Sequence, residues 1–515
     1  MFFQSFNNKF ILLDLVLPFI GFTLIALLIF HRHWFQSWNL IHKYPKSRLF
    51  IYFPLIGHLG LLTYIRPSMK NFMNLFAMFG SESGKMIRLL GFRTITVYKV
   101  EHLDVVFTHP HTQKKHYSYD FFKGFVGDSI FRIHGERWKR NRKAMSPTMH
   151  PETIAPYTED MARITSILVD KLKLKQRCTF DIMPDVAKCV MDVFVNTSFG
   201  VDMKLQNGNA NKFDHYTDAF LELAMYRMMA LPLHPDFIYK WTKSYELQEE
   251  ALKYGKIVTD KIFMDRKAIY NEELKTRNLE VSLEEQYGRK RKFIDHLLDL
   301  SQDALITEQE VLDEVNTFMI AGFDTCTSGV CFTLLALGMY PDMQEKVYQE
   351  LMDVLGTERD IQYSDLSKFV YLEKVIKESL RVFPPIPAVI RVAEEDFLLD
   401  GNTVPKGTQL LCNILSTHRS SLYWKDPMKF DPERFTSEQT VKHVKNSFVP
   451  FLAGPRTCFG TRVAWMSLKT IVATLIRRYK VFTPYKSPDD IKLEIKMTLK
   501  AEEGILIRLE ERKQL

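Results

Sequence analysis

Apolar and polar residues recur with a helical period over most of this chain. Hydrophobic positions spaced three and four apart predict helices over 159–173, 181–198, 213–229, 245–275, 293–302, 308–339, 342–355, 367–382 and 461–479. Gly200 supplies a stop for the second of these, and helical spacing dominates from about Trp138 onward. Strand-like runs are fewer. Met86–Leu90 and Thr94–Tyr98 flank Gly91-Phe92-Arg93 and predict a hairpin with a three-residue loop. Short strands are expected at Ala388–Arg391 and at Gln409–Ile414, the latter after the turn Pro405-Lys406-Gly407. The fold class is therefore mostly α with a small β subdomain. A different pattern opens the chain: Phe10 to Phe30 is almost continuously apolar, interrupted by Asp14 and Pro18, and can cross about 30 Å of hydrocarbon as a helix. Arg32, Lys43, Lys46 and Arg48 follow it against Lys9 alone before it, which places the bulk of the chain on the cytosolic side. A transmembrane anchor is expected over 1–31, a hinge over 32–57 and one large domain over 58–515.

Composition changes this picture little. The 515 residues are 46% hydrophobic and 25% charged, enough apolar material for a large core, and no Gly/Ser-rich linker or solenoid period divides the chain. The six cysteines, at 178, 189, 326, 331, 412 and 458, form no C-x-x-C pair, which points to neither a disulfide framework nor a zinc site. The formal net charge of +8 comes with no nucleic-acid motif, and the basic run Arg289-Lys290-Arg291-Lys292 reads as a solvated connection between helices.

One segment carries the chemistry. Phe451-Leu-Ala-Gly454-Pro455-Arg456-Thr457-Cys458-Phe459-Gly460 sets a single cysteine at the start of a helix, with glycines on either side that let backbone pass close to a flat ligand. A helix N-terminus and a nearby arginine favour thiolate over thiol, and Arg456 is the arginine expected to act here. A thiolate is also an axial ligand of haem iron that favours O–O cleavage. The positions Phe451, Gly454, Arg456, Cys458 and Gly460 fill Phe-x-x-Gly-x-Arg-x-Cys-x-Gly, and in this the chain resembles the cytochrome P-450 haem-thiolate monooxygenases. The resemblance implies their mostly helical fold and a haem b held non-covalently apart from the Cys458 thiolate. It also implies a Pro-containing hinge of the microsomal type at Phe53-Pro54-Leu55-Ile56-Gly57, and hence an endoplasmic reticulum membrane protein.

Thr307-Glu-Gln-Glu310 is a capping box that opens a helix of about 33 residues, roughly 50 Å long. Midway stands Ala321-Gly322-Phe323-Asp324-Thr325-Cys326. Ala321 and Gly322 leave room beside a cofactor, Gly322 loosens the helix, and Thr325 can bond the carbonyl of Ala321 one turn back. In the family the matching acid and alcohol relay protons to dioxygen, which implies that role for Asp324 and Thr325; the usual Thr or Ser is replaced by Cys326. Glu314-Val-Asn-Thr-Phe-Met319, with Arg142-Lys143, Pro147 and His150, resembles the clan that includes fatty-acid ω-hydroxylases. Many of that clan carry a glutamate where Ala321 stands, so the resemblance implies no covalent haem ester at this position.

Glu378-Ser-Leu-Arg381, with Arg434 downstream, resembles the family's Glu-x-x-Arg motif and its arginine partner. Trp138 and Arg142, at i and i+4, join Arg391 and Arg456 as the implied clamp for the haem propionates. Arg137, Lys139, Arg140, Arg142 and Lys143 form a basic face suited to an acidic electron donor. The donor implied is an NADPH–cytochrome reductase or a cytochrome b-type protein. A lipophilic substrate pocket is expected from Phe121, Phe122, Phe125, Phe318, Phe323, Ile386 and Val389. Two alternatives stand beside the monooxygenase. A haem-thiolate isomerase or dehydratase is disfavoured by Thr325, and a non-catalytic haem or lipid binder has only Cys326 in its favour.

Overall fold

The computed structural model describes residues 52–53, 57–58, 83–89, 92–208, 213–277, 291–357, 359–440 and 443–512. The anchor expected over 1–31 and residues 32–51 and 54–56 of the hinge expected over 32–57 lie outside them. Strands are β1 Tyr52–Phe53, β2 Gly57–His58, β3 Met86–Leu89, β4 Phe92–Val97, β5 Lys114–Lys115, β6 Thr179–Asp181, β7 Ala388–Val392, β8 Phe397–Leu399, β9 Asn402–Val404, β10 Gln409–Asn413, β11 Tyr479–Phe482, β12 Leu493–Ile495, β13 Leu499–Ala501 and β14 Leu506–Glu511. The longer helices are α1 Val100–Thr108, α2 Gly135–Met145, α3 Tyr157–Leu172, α4 Met183–Phe199, α5 Phe213–Met229, α6 Lys243–Arg277, α7 Phe293–Gln302, α8 Glu308–Met339, α9 Pro341–Leu355, α10 Val370–Val382 and α11 Thr461–Arg478.

α8 is the axis of the molecule. It packs against α4, α10, α11 and β11, and nearly all of its length is buried. Its apolar composition and length would suit a membrane span, yet its surroundings are those of a core helix. Its first turn is fixed as the capping box requires: Thr307 Oγ1 accepts from the Glu310 N–H (3.1 Å) and Glu310 Oε2 from the Thr307 N–H (2.8 Å). α4 ends on Gly200 at φ +71°, the left-handed cap expected of a glycine there.

The main sheet has the order β1-β2-β3-β4-β10-β7-β5. β4 and β10 pair in parallel with Ile95 opposite Leu410, although the whole helical body separates them in sequence. β5 forms one edge, with Lys115 opposite Arg391 of β7. The β3–β4 register, with Leu89 opposite Phe92, leaves a two-residue connection in place of the expected loop over 91–93. A second sheet, β11-β14-β6, and the hairpin β12–β13 gather the C-terminal segment against α8 and α11, while the hairpin β8–β9 packs with β4 and β10 in a smaller core.

Candidate functional site

The cysteine loop immediately before α11 is shaped by two left-handed residues, Leu452 at φ +63° and Gly454 at φ +70°. A Cβ on Gly454 would overlap the Phe107 carbonyl of α1, so only glycine fits. The loop then turns on itself, with the Cys458 N–H donating to Phe451 O (2.8 Å) and the Thr457 N–H to Gly454 O (3.1 Å). Gly460 is the N-cap of α11, which leaves the thiol beside the first N–H groups of that helix. Protein crowding raises the pKa of the Cys458 thiol, while the Gly460 N–H, Thr461, Arg142 and Lys115 pull it down. Cys458 nevertheless remains accessible, a combination that marks an internal opening rather than the outer surface. The arginine acting on the thiol is Arg142, not the expected Arg456.

Opposite this loop lies the one accessible stripe of α8. Phe318, Ala321, Gly322 and Thr325 are partly or fully accessible within an otherwise buried stretch, and they recur at the spacing of a single helix face. A Cβ on Gly460 would lie 3.8 Å from Phe318, which brings the cysteine loop and α8 within contact distance there. Thr325 Oγ1 donates to Ala321 O (2.7 Å), as its position suggested. Gly322 behaves differently from expectation. Its missing side chain is replaced by the Phe194 ring of α4, so its role is close helix packing and only Ala321 leaves open space. Asp324 is buried and ion-paired with Lys500 of β13, about a quarter-turn or more around the helix from Thr325. Cys326 lies in the core, its thiol pushed up to about 12 by burial and further raised by nearby Cys458.

Around these two elements sits a concentration of buried and half-buried positive charge. Arg456 donates from both terminal nitrogens to Ile133 O (3.0 Å each), and its guanidinium stacks 3.9 Å over the Trp138 ring. Arg142 donates to Thr457 O (3.0 Å) and lies 4.8 Å over Phe459. Arg391 is buried, with Nη1 lacking any partner, and Arg456 Nε is likewise orphaned. Sequence reasoning missed a fourth cation, Lys115, which donates to Phe131 O and lies 4.1 Å over the Phe131 ring. Burial and then Arg391 and Arg456 push the Lys115 pKa well below the usual lysine range. Burial, Arg391 and Arg142 lower Arg456 to about 9. Among the described residues no carboxylate stands within ion-pair distance of these four cations. Uncompensated buried cations with orphaned N–H groups call for an anionic ligand, and the two propionates of a haem supply that charge. Lys115 could be found only through its pairing with Arg391, since a Lys-Lys doublet otherwise reads as surface.

The supporting frame is also in place. Arg381 grips Glu378 through Nε (2.7 Å) and Nη2 (2.8 Å), both side chains fully buried. Arg434 stands 3.4 Å from Glu378, whose Oε1 also accepts the Asp431 N–H (2.8 Å). Burial raises the Glu378 carboxyl, and Arg381 offsets most directly. The expected pocket residues divide. Phe122, Phe125 and Phe323 are core residues, Phe125 against Phe220 and Gly255, and Phe318 stacks on Phe293 at 4.4 Å. Val389 is buried, whereas Phe121 and Ile386 keep partial exposure.

Residues 48–508 match the family model described as Cytochrome P450. The chain is 31% identical to Cytochrome P450 4c21 of Blattella germanica, with 78% of this chain and 81% of that protein covered. It is 31% identical to Cytochrome P450 4B1 of Homo sapiens, covering 76% of each. Cytochrome P450 4V2 of Mus musculus is 29% identical over 93% of this chain and 91% of its own length. These relatives agree with the clan that the Glu314–Met319 segment pointed to. In structure, the haem domain of cytochrome P450DA superposes with a TM-score of 0.75 at 19% identity, covering 92% of this chain and 97% of that one. The chain belongs to the cytochrome P450 family, the haem-thiolate monooxygenases whose iron is held by a cysteine thiolate.

Proposed function

We propose that this protein inserts one atom of dioxygen into a lipophilic substrate, with electrons passed from NADPH by a flavoprotein reductase. The observation that carries this reading is the opposition of an accessible Cys458 to the accessible Ala321–Thr325 face of an otherwise buried helix. Cys458 would ligate the haem iron, and Arg142, Arg391, Arg456 and Lys115 would hold the propionates, with Trp138 bracing Arg456. Phe451 and Gly460 shape the cysteine loop, and Ala321 leaves open space on the facing helix where the haem would lie. The bound haem supplies the redox chemistry of oxygen activation. Thr325, its hydroxyl already tied to a helix carbonyl, and Asp324, one residue away, carry protons toward the reacting oxygen.

Membrane attachment at the endoplasmic reticulum through residues 1–31 fits a second surface of the catalytic domain. Phe237 (70% exposed), Ile238 and Trp241 (92% exposed) project together from the segment after α5, flanked by exposed Lys240 and Lys243. Aromatic residues framed by lysines suit the interface of a bilayer. The deciding experiment is the reduced, carbon monoxide-bound difference spectrum of detergent-purified protein beside Cys458→His. A strongly red-shifted Soret band in the wild type, lost in the variant, is expected. A haem-loaded wild type without it would overturn the ligand assignment. Product formation that depends on NADPH and reductase then separates a monooxygenase from an isomerase.

A further inference from the structure

α6 runs for 35 residues, packs its inner side on α5 and touches α4 and α8, and turns its outer side to solvent. On that outer side stand two large apolar residues one heptad apart, Ile257 (61% exposed) and Met264 (60% exposed). Charged residues frame them. At about 100° per residue, Lys253 and Asp260 fall on one side of Ile257 and Glu250 and Lys261 on the other, all four exposed. Elsewhere on this helix the charges find partners within the chain: Arg266 with Asp295, Lys267 with Glu308, and Lys275 with Glu272. Among the described residues none of the four framing charges has an ion-pair partner. The stripe therefore offers an apolar centre with both signs of unspent charge on each flank.

We propose that this stripe is a self-docking surface, on which α6 of a second copy lies antiparallel across a two-fold axis near Ile257. The antiparallel sense sets each end of one helix dipole beside the opposite end of the other. A two-fold contact of this kind lays each flank against the same flank of the second copy, read in reverse order. Lys253 then meets Asp260 of the second copy and Glu250 meets Lys261, and symmetry makes each pair twice. Four ion pairs surround two isoleucines, with Met264 over the aliphatic stem of Glu250 from the second copy. The charges match within one sequence, which is why the chain complements itself. From Glu250 to Met264 the stripe is only about 21 Å long, so the contact is smaller than a standard interface of roughly 1,600 Å² and the dimer is weak and reversible. Exposed pairs are screened by ions, and the association weakens as salt rises.

The test uses the full-length holoenzyme in detergent, followed by sedimentation velocity over a concentration series. Lys253→Glu and Asp260→Lys should each weaken self-association about tenfold, because each turns two attractions into two repulsions. The double variant Lys253→Glu/Asp260→Lys should regain the wild-type affinity. An equimolar mixture of the two single variants should also dimerise, although neither does so well alone. In a Cys178→Ser background, which removes an exposed thiol, Ile257→Cys should form an intermolecular disulfide on mild oxidation. Haem content should stay constant throughout. A wild type that remains monomeric at every concentration, with no cross-link through Ile257→Cys on phospholipid vesicles, would overturn the proposal. A dimer indifferent to both charge reversals would do the same. A parallel pairing would set Glu250 against Lys253 and Asp260 against Lys261, so single variants that weaken the dimer without rescue by the double variant would overturn the antiparallel arrangement. Binding of a reductase that the reversals weaken, in a chain that does not self-associate, would assign the stripe to that partner instead.

Discussion

Glu314 occupies the same face of α8 as Ala321 but two turns earlier, and there the accessible stripe has closed. Its carboxyl accepts the Ile130 N–H (2.7 Å) and is otherwise enclosed. Burial pushes its pKa up to about 8, with Asp313 and Glu310 adding to the rise and the Ile130 N–H opposing it. The folded protein therefore binds this proton more tightly than the unfolded chain between about pH 4.5 and pH 8. Stability from this group is greatest at the acid end and falls as pH rises through that window. Glu314→Gln keeps an acceptor for Ile130 and removes the charge. Relative to wild type it should gain about 3–5 kcal/mol of stability between pH 4.5 and pH 8.5, read by urea denaturation at each pH. A constant difference across that range would show that Glu314 ionises without cost. Residues such as Cys458 and Arg456 in the cysteine loop, and Thr325 on its helix, were legible because the spacing that marks them lies within one short segment in each case. Glu314 and Lys115 were not, because their burial depends on chain brought in from elsewhere.

Between residues and the whole stand the elements, and here a single carboxylate can join two of them. Glu310 caps its own helix and also accepts Arg137 (3.0 Å), Arg140 (3.0 Å) and Asn141 (3.2 Å) of α2. The arginines expected to face an electron donor thus partly serve to dock α2 onto α8. Periodicity marked α4, α7 and α8 well, since each repeats its apolar face over many turns. It said little of β11 and β14, which pair with each other across 23 intervening residues, with β14 also pairing β6, or of β12–β13, a hairpin of three-residue strands too short to show a period. The Glu378–Arg381 pair shows the same limit in reverse. Its i, i+3 spacing was visible, whereas its burial, which makes it costly to break, was not. Arg381→Met should leave Glu378 with Arg434 alone at 3.4 Å and cost about 3–5 kcal/mol, measured as lost denaturation free energy. Loss below about 1 kcal/mol would mean that Arg434 moves in and compensates.

At the scale of the whole molecule, the surface charge must be divided into what the fold uses and what it offers. The net charge of +8 overstates the offer, because buried Arg391 and Arg456 and half-buried Lys115 belong to the interior and Arg137 and Arg140 are engaged by Glu310. On the outer face of α2, Lys143 is exposed and Lys139 meets only Glu136 in a solvent-exposed pair. The same helix carries Arg142 to the cysteine loop, so a partner docked on these lysines would stand one helix away from Cys458. Exposed charges act through long-range attraction and speed encounter more than they strengthen the final complex. Lys139→Glu/Lys143→Glu should therefore slow reduction by an acidic flavoprotein about tenfold at low ionic strength, with haem content and the carbon monoxide spectrum unchanged. The gap should close as salt shortens the Debye length to roughly 3 Å near 1 M. Stopped-flow reduction across a salt series reads both effects, and equal rates for variant and wild type at low salt would place the donor on another face.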